Sequence, residues 1–353
     1  MLKIIFPTLT FFLLGTYTHA QEEISFYNAD HSIRFSGTFE KPAGKKTFPT
    51  IVLVSGTGPQ DRNGTMAGQP IFKLIAQHLV ANGIAVLRTD DRGTGGTTGR
   101  YDTSSTADFA DDALAAIQYL KSRKDIKGKI GLTGHSEGGA AVCIAAAKSK
   151  DVDFVVSLAG LAAPGLIALK AQNQAIVNTT KGISALKKER LNTLNNQVFD
   201  TAYTYRNAAD SVLMKKIIAT HAAWKQKDDS MMKNRADSFQ ERIYYPADRF
   251  AHHAAGKWYR FHIGLDPAAY FPKVKVPVLA INGANDIMVP AEAHLPFFRK
   301  YIPTKQLTTA VIPNMNHLLQ NCTTCLPDEY AKPGQQASPE LLNMLTAWIL
   351  KQS

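Results

Sequence analysis

The stretch Gly134-His135-Ser136-Glu137-Gly138-Gly139 constrains this chain more than any other segment. It follows the apolar run of residues 129–133 and precedes the alanine-rich run of residues 140–147. The order is strand, tight turn, helix. A serine at such a turn projects from the end of the strand in strained backbone. Gly134 and Gly138 then stand where a Cβ would collide with a neighbouring strand or helix. A bare G-x-S-x-G match also arises by chance. What decides the role of Ser136 is whether an acid, a histidine and an oxyanion loop accompany it.

They follow in order. Val276 to Gly283 is an apolar run ending in turn residues, a buried strand, and Asp286 lies in the loop after it. Gln306 to Ile312 is the next strand-like run, and His317 lies just past its end. Taken singly, His317 reads as a surface-loop histidine and Asp286 as a turn residue favouring an Asx turn. Ser136, Asp286 and His317 together, each past a strand's carboxyl end, read as nucleophile, acid and base. Upstream, the strand Pro49 to Val54 runs into Ser55-Gly56-Thr57-Gly58-Pro59-Gln60-Asp61-Arg62. Backbone amides of Thr57 and Glu137 are the expected oxyanion donors. The glycine-rich segment Arg92 to Gly99 ends in no G-K-[ST], so it reads as a wide turn and not as a phosphate loop.

With these pieces in place the chain resembles the α/β-hydrolases, in their serine aminopeptidase-like and carboxylesterase branch with a helical cap. The resemblance rests on Ser55 to Arg62, Asp90 to Gly99, the Ser136 turn, Asp266-Pro267 and the Asp286 and His317 loops, spanning roughly residues 30–350. It implies an α/β fold with a mostly parallel central sheet flanked by helices and an inserted α-helical cap. It also implies a serine hydrolase acting on an acyl ester or a short peptide, without cofactor or metal. Two departures stand out. The position before Gly56, often histidine in the superfamily, is Ser55, which leaves the oxyanion donors to the backbone. The loop after His317 carries Cys322 and Cys325.

After Gly160 the β pattern stops for about a hundred residues, too many for a structureless loop in a compact domain. Leu166–Asn178, Ile183–Tyr205 and Ala209–Lys225 carry helical spacing. Residues 165–265 are therefore expected to form the cap, between core segments 21–164 and 266–353. Trp258-Tyr259-Arg260-Phe261 at its end reads as packing between cap and core. An aminopeptidase, the alternative to an esterase, needs a carboxylate to hold a substrate ammonium. The cap offers Glu189, Asp200, Asp210, Asp228, Asp229 and Glu241. A third reading, a non-catalytic binding protein, is opposed by the intact nucleophile, acid and base.

Residues 1–20 read as a signal peptide: Lys3, a short apolar core, then Thr18-His19-Ala20 before a mature start near Gln21. The apolar core is short for a membrane span, so export without a stable anchor, to periplasm or medium, is expected. Of the net charge of +11, residues 165–265 supply sixteen Lys/Arg against eight Asp/Glu. No aromatic-interleaved basic cluster accompanies them, so nucleic acid is not an expected partner. Cys143 reads as a small buried apolar residue. Cys322 and Cys325 are positioned for a local disulfide in an oxidising compartment, a pairing the sequence leaves open. A zinc site would consume His317. Oligomeric state is likewise open.

Overall fold

The computed structural model describes residues 20–332 and 336–352. The expected signal peptide therefore lies, but for Ala20, outside the described residues. The apolar runs become the strands of one eight-stranded sheet. These are β1 (Ala20–Tyr27), β2 (Arg34–Lys41), β3 (Thr50–Val54), β4 (Ala85–Thr89), β5 (Ile130–His135), β6 (Phe154–Leu158), β7 (Val278–Gly283) and β8 (Leu307–Ile312). Their order across the sheet is β1-β2-β4-β3-β5-β6-β7-β8. β2 runs antiparallel to both its neighbours, β1 and β4; β4, β3 and β5 to β8 pair in parallel. This is the α/β-hydrolase fold.

Parallel strands must be covered on both faces, and two sets of helices do so. One core packs α1 (Ile71–Ala81) and α10 (Pro339–Leu350) on one face. The other packs α2 (Thr106–Ser122), α3 (Glu137–Lys148) and α9 (Ala291–Tyr301) on the opposite face. Alanines crowd α3 because it sits against the centre of the sheet; Cys143 is fully buried there. The start of α2 is held by the Asp108 carboxylate, which accepts the Ser105 backbone N–H at 2.8 Å, closing a capping box.

Between β6 and β7 stand five helices: α4 (Gly165–Thr179), α5 (Ala185–Thr204), α6 (Asp210–Met232), α7 (Ala247–Ala255) and α8 (Lys257–Gly264). Helical spacing anticipates the first three. It does not anticipate α7, nor α6 running on to Met232. Leu194, Val198, Phe199, Leu213, Ile217 and Tyr259 build a hydrophobic cluster belonging to these helices alone. Within them Arg190 forms a buried bidentate pair with Asp228, both bonds 2.6 Å. The segment leaves and rejoins the core at one place: the Gly165 N–H donates to the Leu265 carbonyl at 2.8 Å. A Cβ on Gly165 would stand 1.8 Å from the His262 carbonyl oxygen, so only glycine fits at this closure.

Candidate active site

Ser136 is the pivot between β5 and α3, with φ 55° and ψ −119°, backbone that non-glycine residues rarely adopt. Close packing explains the glycines. A Cβ on Gly134 would lie 2.1 Å from the Gly138 carbonyl oxygen, and one on Gly138 would lie 2.5 Å from the carbonyls of Val54 and Ser55. The turn is pinned at both ends: Ser136 N–H donates to Leu158 and Leu161 N–H donates to the Ser136 carbonyl.

The structure brings Ser136, Asp286 and His317 together. His317 Nε2 stands 3.1 Å from Ser136 Oγ, and its Nδ1 stands 2.9 Å from Asp286 Oδ2. Asp286 is buried, and its other oxygen accepts the backbone N–H groups of Met288 and Val289 at 2.8 and 2.9 Å. The carboxylate is thereby aimed at Nδ1, which fixes a proton there and leaves Nε2 free to accept from the serine hydroxyl. The backbone of His317 is held separately. His135 Nε2 donates to the His317 carbonyl at 2.8 Å, and the two rings lie 4.8 Å apart. Complete burial pushes the His135 imidazole down to about 3, so it stays neutral and keeps that donor role. Although it sits inside the G-x-S-x-G motif, the motif says nothing of this task.

Thr57 and Glu137 flank the same space. Glu137 is the first residue of α3, so its N–H has no acceptor within the helix. Among the described residues neither amide donates to a protein acceptor. The loop carrying Thr57 is shaped by Asp91. Its carboxylate accepts Ser55 Oγ–H at 2.6 Å and Gln60 N–H at 2.9 Å. Desolvation pushes that carboxyl up to about 7. Ser55, the departure noted in the sequence, is thus the partner of Asp91. Further along, Arg62 grips Asp90 with bonds of 3.1 and 2.7 Å and Ser36 Oγ at 2.7 Å. The loops after β3 and β4 are therefore tied to each other.

A cavity of about 350 Å³ opens over Ser136 and His317. The core contributes Gly56, Thr57, Gln60, Met66 and Leu161; the inserted helices contribute Ala168, Leu169, Gln172, Trp258 and His262. Trp258 therefore does more than pack cap on core: it walls this cavity and donates its indole N–H to Glu137 at 2.8 Å. Phe261 packs cap against core as expected, whereas Tyr259 is buried within the cluster of the inserted helices and does not bridge to the core.

None of the six candidate carboxylates, Glu189, Asp200, Asp210, Asp228, Asp229 and Glu241, lines the cavity. Asp228, Asp200, Asp210 and Asp229 are instead paired with Arg190, Lys170, Arg260 and Lys225. Glu241 accepts from Ser184 Oγ, and Glu189 is exposed. Among the described residues no group of His, Cys, Asp and Glu is arranged to hold a metal ion. Cys322 and Cys325 are joined in a disulfide. Beside it the Glu329 carboxylate accepts the N–H groups of Thr323, Thr324 and Cys325.

Comparison with known proteins bears on the family and the fold. The family described as "Serine aminopeptidase, S33" matches residues 68–322. Esterase EstD of Thermotoga maritima is 26% identical over 316 residues, 89% of this chain; the chain spans 65% of that protein's length. The α/β hydrolase GrgF from a Penicillium species superposes with a TM-score of 0.56 at 15% identity, covering 94% of this chain and 99% of that one. Est1E from Butyrivibrio proteoclasticus superposes with a TM-score of 0.50 at 17% identity, covering 93% and 98%.

Proposed function

Because this chain belongs to the serine aminopeptidase (S33) family of α/β-hydrolases, we propose that it is an exported carboxylesterase working through Ser136, His317 and Asp286. His317 Nε2 takes the Ser136 proton as Oγ attacks the acyl carbonyl carbon, and Asp286 stabilises the imidazolium. The Thr57 and Glu137 amides hold the oxyanion. The tetrahedral intermediate collapses with cleavage of the bond to the alcohol oxygen, which takes the proton from His317. Water then repeats the sequence on the acyl-enzyme, releasing the acid and restoring Ser136.

The observation that carries this reading is the bonded run from Asp286 Oδ2 through His317 to Ser136 Oγ, at 2.9 and 3.1 Å. Ester substrates are favoured over peptides with a free amino terminus because the cavity above Ser136 offers no carboxylate for an ammonium group. Likeness to an esterase over most of the chain points the same way. Export is supported by the pattern of residues 1–20 and by a disulfide suited to an oxidising compartment. Among the described residues no helix is long and apolar enough to cross a membrane.

The test is labelling of the mature protein with a fluorophosphonate, followed by peptide mass mapping, alongside hydrolysis of an acetyl ester. Stoichiometric labelling at Ser136 is expected, with activity abolished in Ser136→Ala and folding unchanged. Label on another serine, or an active Ser136→Ala enzyme, would overturn the assignment. A strong preference for aminoacyl anilides over esters would restore the aminopeptidase reading.

A further inference from the structure

The acyl-transfer chemistry uses the Glu137 amide and leaves its side chain without a task. That side chain is 1% exposed, and it accepts three hydrogen bonds from neutral donors. Thr57 Oγ–H reaches Oε2 at 2.8 Å; Thr106 Oγ–H and the Trp258 indole N–H reach Oε1 at 2.6 and 2.8 Å. Burying a carboxylate among neutral partners is costly compared with an apolar side chain of the same size. The three donors come from three separate parts of the fold: the oxyanion loop, the first turn of α2, and α8.

We propose that Glu137 is a positioning residue that seats the α8 wall of the cavity and the oxyanion loop against one another. The proposal rests on the reading of Ser136 as nucleophile. The Glu137 backbone begins α3 directly after Ser136, so the root of this side chain is fixed relative to the nucleophile. Through Oε2 it sets the Thr57 hydroxyl, and with it the peptide whose N–H faces the oxyanion. Through Oε1 it sets Trp258, which walls the space the acyl group enters. Thr106, itself fully buried, holds the carboxylate from behind.

The bonding predicts how substitutions rank. Leucine would strand the Trp258 and Thr106 donors without acceptors. Glutamine keeps an acceptor oxygen toward both and turns its amide toward Thr57, whose hydroxyl accepts as well as donates. Glu137→Gln should therefore preserve most of what Glu137→Leu loses.

The experiment is steady-state hydrolysis of an acetyl ester by Glu137→Leu, Glu137→Gln, Thr57→Val, Trp258→Phe and the Thr57→Val/Trp258→Phe double variant. Circular dichroism reports folding, and Ser136→Ala is the reference. Glu137→Leu should lower kcat about 100-fold with KM within about threefold, as loss of a transition-state donor does. Glu137→Gln should return to within about tenfold of wild type. Thr57→Val and Trp258→Phe should each lower kcat by about fivefold, and together by clearly less than their product, because both act through one carboxylate.

Wild-type kcat in folded Glu137→Leu, or independent multiplication of the two single effects, would overturn the proposal. If Glu137→Leu does not fold, the Thr57–Trp258 cycle decides alone. An inactive Ser136→Ala beside multiplicative singles removes only this proposal; an active Ser136→Ala removes the reading beneath it.

Discussion

Replacing His294 by asparagine should make the protein less sensitive to acid. His294 on α9 is fully buried, and its Nδ1 accepts the N–H groups of Ala162 and Ala163 at 3.0 and 3.2 Å where the chain leaves β6. Burial pushes its imidazole down to about 4 from an ordinary 6.5. A histidine lowered in the folded state contributes nothing to pH dependence above 6.5, where both states are neutral. Below that the unfolded chain takes the proton first, and stability falls until about pH 4. At pH 5 the loss from His294 is about 2 kcal/mol. Asp91, raised to about 7, and Asp112, raised to about 6, work the other way, since the folded state binds their protons first. The wild-type curve alone therefore does not isolate the histidine. In His294→Asn the Oδ1 atom can take the place of Nδ1 as acceptor, and the titration is gone. Urea unfolding at pH 7.5 and pH 5 should show the variant losing about 2 kcal/mol less than wild type between the two. Parallel losses in the two proteins would refute the argument.

Gly138→Ala should lower activity by about 100-fold or more and stability by about 1–3 kcal/mol, because the new Cβ meets the Val54 and Ser55 backbone carbonyls at the end of β3, which cannot rotate away; thermal melts and ester kinetics check both numbers. Replacing Cys322 and Cys325 together by serine should leave kcat within about threefold of wild type, because Glu329 holds the same three amides without the disulfide. A loss of tenfold or more would assign the disulfide a part in holding the His317 loop.

The inner parallel strands were legible because they are buried on both faces, which makes their apolar runs nearly continuous. The edge strand β8, mostly half-buried or exposed, was legible only from its β-branched run. Ser136, Asp286 and His317 were legible because each closes such a run, so chain order alone put them on one edge of the sheet. Shorter helices were not. The nine residues of α7 carry three histidine or arginine side chains and follow Pro246, and α9 carries Pro296 inside it, a residue that normally argues against a helix. The partners of Glu137 were beyond reach for another reason. Thr106, Thr57 and Trp258 lie 31, 80 and 121 residues away in the chain, and no local pattern links them. Only the folded sheet makes them neighbours.

The hydrogen bond between Gly165 and Leu265 has a consequence for descent as well as for folding. A hundred residues enter and leave the core through a gap that one bond spans, and they pack on a cluster of their own. The sheet does not register how long that excursion is. Its length can change while Ser136, Asp286 and His317, all carried outside it, keep their places at the edge of the sheet. On the proposed reading, the walls of the cavity can change in one part of the gene while the nucleophile, acid and base, encoded on either side of it, stay as they are.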